Sequence, residues 1–109
     1  MYLLCVIGAA YTASKHGLVG LTKNTAAFYR DVGVRCNMLM PGAMKTNITD
    51  AFGAGLNRKG YELMSKGMVA GAPLCDLEKL GKTCVLLSLD EATAVNGAVI
   101  SADNGWLAT

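Results

Sequence analysis

The sequence predicts an α/β chain built on parallel strands, and three observations carry that prediction. A long helical stripe is followed by a short apolar run that stops abruptly at Pro41-Gly42. A capped helix then leads into a second short strand near the C-terminal end. Composition agrees. The 109 residues are 52% hydrophobic and 17% charged, against a usual charged share of about 25%, which describes a folded chain and excludes disorder.

The opening residues 1–10, MYLLCVIGAA, read as a buried strand entering a turn at Gly8-Ala9-Ala10. The apolar run also has the look of a signal-peptide core, but it lacks a basic start and is too short to span a bilayer. The first helix is predicted over Tyr11 to Val32. Leu18, Leu21, Thr25, Phe28 and Val32 form one apolar stripe, and Gly33 suits the left-handed residue after a helix. Ala13, Gly17 and Gly20 give a second face of small residues, so the helix is expected to be covered on two sides.

A strand follows over Val34 to Met40, and Pro41-Gly42 ends it because proline has no N–H for the ladder. The stretch from Ala43 to Gly71 is mixed, with a short helix expected at Tyr61 to Met68. Asp76 can cap the next helix, in which Leu77, Leu80, Cys84 and Leu87 keep helical spacing. Asn96-Gly97 leads into the strand Ala98 to Ala102. The long segment between the two strands rules out a hairpin and predicts a parallel pair joined by a right-handed crossover. Each βαβ unit takes roughly 30 residues, so a doubly wound domain of about six strands needs more chain than this, and the sequence reads as part of one domain.

Ten Lys and Arg against eight Asp and Glu leave a net charge of +2 spread along the length. With no basic arm or acidic tail, neither a nucleic acid nor a membrane surface is the expected partner. Cys5, Cys36, Cys75 and Cys84 contain no CxxC pair and His16 is the only histidine, so no metal site is expected. The cysteines read as reduced, partly buried thiols, and the expected compartment is cytoplasmic. His16 reads as a helix-face residue, with no acidic partner nearby to make it a base. Met44, Met64 and Met68 with Phe52, Leu56 and Tyr61 suit an apolar substrate pocket or an ordinary core equally well.

The residues that point to chemistry are Tyr11-Thr12-Ala13-Ser14-Lys15. Four positions apart on a helix, the phenol of Tyr11 and the ammonium of Lys15 share a face. A phenol is a poor proton acceptor near neutral pH unless something stabilises its phenolate, and a cation at roughly 4 Å contributes about 4 kcal/mol at an effective dielectric of 20. The pair therefore suits a general acid/base.

Three stretches in order, YTASKHGLVGLTK, NMLMPGAMKT and NGAVISADNGW, resemble the C-terminal part of the short-chain dehydrogenase/reductase family. The resemblance covers nearly the whole chain. It implies a partial Rossmann-like doubly wound parallel sheet, with residues 1–109 forming the C-terminal portion of one NAD(P)-binding domain that lacks its N-terminal dinucleotide-binding half. It also implies an alcohol/carbonyl oxidoreductase using NAD or NADP on a small-molecule substrate. Tyr11 would be the catalytic acid/base, and Lys15 would bind the nicotinamide ribose and support the phenol.

Pro41, Gly42, Met44 and Thr46 would belong to the loop that passes the nicotinamide, Thr46 through a hydrogen bond and Met44 through its backbone. Two departures are visible. Met44 stands where the family usually has Val or Ile, and Asn104 replaces a glycine of the DGG pattern, a position where asparagine tolerates positive φ.

The family's Gly-rich phosphate turn has no counterpart. Gly53, Gly55 and Gly60 have the wrong spacing and follow no strand. The family's serine and relay asparagine would also precede Met1, so this stretch alone is expected to grip the cofactor weakly. The alternative is a truncated, non-catalytic fragment or interaction module that folds only with a partner chain. The family's habit of pairing through this helix, together with the apolar edges, predicts a homo-oligomer.

Overall fold

The computed structural model describes residues 8–46, 58–67 and 73–108. Helix α1 spans Ala9–Tyr29 and closes through one 3-10 turn, Arg30–Val32. It begins two residues earlier than the sequence suggests, where the Gly8 carbonyl accepts the Thr12 amide at 3.0 Å. It stops where expected. Gly33 adopts φ 78° and its amide turns back to the Arg30 carbonyl, a conformation open to glycine because it has no Cβ.

The face that α1 buries differs from the expected one. The apolar stripe points largely outward, with Leu21 61%, Phe28 74% and Val32 72% exposed. The half-buried positions are Thr12, Lys15, His16, Val19 and Thr25, the last from the expected stripe, and Thr22 and Ala26 are buried. Close approach explains the choice. Ala26 Cβ lies 3.3 Å from where a Gly97 side chain would begin, and Asn96 Nδ2 donates to the Ala26 carbonyl at 3.2 Å. Bulkier side chains would hold the helix away from this turn. Gly17 and Gly20, expected on a second covered side, face open space.

Strand β1, Met38–Pro41, pairs in parallel with β2, Val99–Ala102, in the register Met38–Val99, Leu39–Ile100, Met40–Ser101 and Pro41–Ala102. The parallel pairing expected from the sequence is therefore present. The first strand starts at Met38 and not at Val34, because the residues before it bond to side-chain amides in place of a regular ladder. Cys36 N–H donates to Asn96 Oδ1 at 2.9 Å, and Ala98 N–H donates to Asn37 Oδ1 at 3.0 Å. Asn37 Nδ2 donates to the Val95 carbonyl at 2.8 Å. Arg35 binds that same Val95 carbonyl at 3.0 Å and two more, those of Ala92 at 2.9 Å and Leu89 at 3.0 Å.

Helix α2 spans Arg58–Gly67 and helix α3 spans Leu77–Ser88. Asp76 caps α3 as expected, its carboxylate accepting from Glu78 N–H at 2.8 Å and Lys79 N–H at 3.1 Å. The half-buried positions of α3 are Leu80, Thr83 and Leu87, whereas Leu77 and Cys84, expected on the same stripe, are exposed. A second 3-10 turn, Asp90–Ala92, follows.

No helix among the described residues is long and apolar enough to cross a membrane. The strand expected in residues 1–7, together with Cys5, Phe52, Gly53, Gly55, Leu56 and Met68, lies outside the described residues, as do the side chains of Tyr61 and Met64.

Candidate active site

Tyr11 and Lys15 occupy the first turns of α1, where the helical repeat brings them together. Lys15 Nζ sits over the Tyr11 ring, 5.4 Å from its centroid. The negative face of the ring attracts the cation by about 0.5 to 1 kcal/mol at such an accessible site. Tyr11 is 37% exposed and Lys15 is half-buried on the face that packs toward the sheet.

Their neighbours spend their polar atoms on the helix itself. Ser14 Oγ donates to the Tyr11 carbonyl at 2.7 Å, and His16 Nδ1 lies 2.9 Å from the Thr12 carbonyl. His16 is therefore bound to its own helix, as the sequence suggests, with Nδ1 assigned as the donor because a carbonyl can only accept.

The Pro41–Thr46 stretch leaves the carboxyl end of β1. Pro41 lies opposite Ala102, and Gly42 N–H donates to the Ala102 carbonyl at 3.1 Å. The Ala43 carbonyl accepts the Cys75 amide at 2.7 Å. Gly42 is fixed by packing. A Cβ there would meet Asp103 Cα at 2.9 Å, Asp103 Cβ at 3.0 Å and Cys75 Sγ at 3.1 Å. Met44 and Thr46 are half-buried.

These two groups of residues lie toward one end of the sheet. The last turns of α1 are fixed beside Asn96 and Gly97, before β2 begins, and the helix packs on β1. Its first turns therefore run toward the carboxyl ends of the strands, where ligands settle in open α/β sheets. The bonds of Gly42 and Ala43 go to Ala102 and Cys75. The loop is thus anchored independently of Tyr11 and Lys15.

Asp103 and Asn104 complete that end. Burial of Asp103 favours its neutral form, but the Ser101 side chain and the amides of Leu107, Gly105 and Asp103 itself outweigh it, holding the carboxyl below its ordinary value. Its oxygens accept from Gly105 N–H and Leu107 N–H, each at 3.1 Å. These bonds make Asp103 the residue that organises the turn after β2. Asn104 takes φ 55°, as its place in the DGG-like pattern suggests.

Sequence reasoning misses the parts played by Arg35 and Cys75. For Arg35 a signal existed, a guanidinium within the otherwise apolar VRCNMLM run. Cys36, Cys75 and Cys84 are free thiols, of which Cys84 is exposed and not partly buried as expected. A cavity of about 530 Å³ is lined by Gly33, Arg35, Cys36, Asn37, Cys84 and Asp90 among others. It opens where β1 begins and holds none of the expected site residues, so its size does not make it the reaction site.

The family model described as enoyl-(acyl carrier protein) reductase matches residues 6–107. A short chain dehydrogenase/reductase of Colletotrichum higginsianum is 44% identical over 102 residues, covering 91% of this chain and 38% of that protein. A 3beta-hydroxysteroid dehydrogenase of Eggerthella lenta is 40% identical, covering 93% of this chain and 38% of its own length.

Among solved structures, a short chain dehydrogenase from Mycobacterium paratuberculosis bound to NAD superposes with a TM-score of 0.72 at 26% identity, over 91% of this chain and 38% of that one. A candidate 2-deoxy-d-gluconate 3-dehydrogenase from Agrobacterium tumefaciens with bound NADP gives 0.70 at 35% identity, over 91% and 39%. The described α/β arrangement is thus part of a larger Rossmann fold, and the chain spans about two fifths of the length of the proteins it matches.

Proposed function

Because the chain belongs to the short-chain dehydrogenase/reductase family, we propose that it carries the acid/base end of an NAD(P)-dependent oxidoreductase site acting on a small alcohol or carbonyl compound. The observation that carries this reading is the stacking of Lys15 Nζ over Tyr11, 5.4 Å from the ring centroid, on a helix whose first turns run toward the carboxyl ends of β1 and β2. Two features suit a nicotinamide dinucleotide. A half-buried cation stands on the sheet side of α1, and Gly42 lets the backbone pass closely at the strand ends.

When bound, the dinucleotide supplies the hydride acceptor for alcohol oxidation or the hydride donor for carbonyl reduction. Tyr11 then handles the proton. Its phenolate oxygen takes the hydroxyl proton as the carbon gives up hydride, and in the other direction its phenol returns a proton to the carbonyl oxygen. Lys15, whose charge stands over the Tyr11 ring, would favour the phenolate and would bind the ribose hydroxyls. Pro41, Gly42, Met44 and Thr46 would line the nicotinamide side. The neighbours with NADP and with NAD bound support either cofactor.

A second reading, a non-catalytic segment that folds against another chain, is favoured by the exposed row of Leu21, Phe28 and Val32. Calorimetric titration of the whole protein with NADH and NADPH separates the two. Lys15→Met should weaken binding of the preferred cofactor by about tenfold or more, the value of a hydrogen bond to a charged group. Binding unaffected by Lys15→Met would overturn the proposal.

A further inference from the structure

Gly42 stands at the point where β1 gives way to the loop, and what holds it there comes from a distant part of the chain. Cys75 is 7% exposed. Its Sγ donates to the Ala102 carbonyl at 3.3 Å, the same carbonyl that accepts Gly42 N–H at 3.1 Å. Its amide binds the Ala43 carbonyl at 2.7 Å, and its sulfur lies 3.1 Å from the place a Gly42 side chain would begin. Asn104 secures this segment from the other side. Its Nδ2 donates to the carbonyls of Pro73 at 3.2 Å and Leu74 at 3.3 Å, and lies 3.8 Å from Cys75 Sγ.

We propose that Cys75 and Asn104 form a clamp that positions Gly42 and Ala43, and through them the cofactor-facing loop. The clamp rests on two kinds of contact. The amide of Cys75 reaches the loop whatever its side chain, whereas the thiol alone reaches the carbonyl at the end of β2. Asn104, with φ 55°, aims its amide back at residues 73–75, a contact that a glycine in its place would not make. The relevance of the clamp to catalysis rests on the reading of residues 41–46 given above.

Amide hydrogen exchange of the whole protein, followed by NMR, tests the clamp without requiring activity. Cys75→Ala should speed exchange at Gly42 by about tenfold, the scale of one hydrogen bond. Cys75→Ser, which keeps a donor, should recover much of the protection. The exposed Cys84→Ala should change nothing, and the amides of Thr22 and Ala26 should exchange at the parent rate throughout. Gly42 exchange unchanged in Cys75→Ala, or acceleration shared equally by Thr22 and Ala26, would overturn the clamp.

Should Cys75→Ala fail to fold, Asn104→Gly reads the same device from the other side. It should speed both Gly42 exchange and iodoacetamide labelling of Cys75, and parent rates for both would contradict the proposal. NADH titration of the same variants separates the two claims. Faster Gly42 exchange with weakened NADH binding supports both, whereas faster exchange with parent affinity upholds the clamp and removes residues 41–46 from the cofactor site.

Discussion

The Cα of Asp103 lies 2.9 Å from the point where a side chain on Gly42 would begin. Backbone of β2's exit and backbone of β1's exit thus touch, and neither can swing aside as a flexible side chain would. Gly42→Ala should destabilise the chain by about 1 to 3 kcal/mol, the usual cost of forcing extra volume into a packed site. Gly17→Ala is the control. That position faces open space on α1, and replacing a helical glycine with alanine should stabilise by up to about 1 kcal/mol. Urea unfolding of the two variants reads both signs, and a Gly42→Ala midpoint at or above the parent's would contradict the packing argument.

Asp103 makes the stability of the β2 exit depend on acid. Its carboxyl is held below the ordinary 3.8, so the folded chain binds that proton more weakly than the unfolded chain. The stability it contributes is present above 3.8 and lost as pH falls through 3.8 toward the lower folded value. Asp103→Asn should flatten that part of the stability profile. The same acid-side loss in parent and variant would assign it to other carboxyls.

The exposed row on α1 carries a third expectation. Leu21 and Phe28 on α1, and Val32 in the 3-10 turn that follows it, are each more than half exposed, an apolar patch of the kind that seeks a partner. The 109-residue chain taken alone should therefore self-associate at micromolar concentration, as seen by light scattering after size exclusion. Leu21→Lys with Phe28→Lys should shift it toward monomer. A cooperative monomer of 11.4 kDa for the parent chain would show that this face needs no cover.

Much of this arrangement is legible in the residues. The stop of α1 at Gly33, the Asp76 cap and the positive φ of Asn104 each follow from one residue's local chemistry, and the parallel pairing follows from the length of the segment between the strands. So does the meeting of Tyr11 and Lys15, since helical repeat alone enforces it. What eludes the sequence depends on distant partners. Apolar spacing selects Leu18, Leu21 and Phe28 for the sheet, but the close approach of Ala26 to Gly97 decides the orientation. The strand's late start follows from the side chains of Asn37 and Asn96 bonding backbone amides across a long segment, and the hold of Cys75 on Gly42 is also remote in sequence. Periodicity reports what a segment could bury, while the packed neighbour determines what it does bury.

The central claim is that Tyr11 exchanges a proton with the substrate oxygen, and its most direct measurement is turnover and cofactor affinity of Tyr11→Phe in the whole protein. The phenyl ring keeps the surface under Lys15 and loses only the exchangeable proton. The account predicts a fall in kcat of about 10²- to 10⁴-fold, the usual contribution of a general acid or base, with the Kd for NADH or NADPH nearly unchanged. A Tyr11→Phe enzyme that kept most of its turnover would contradict the account.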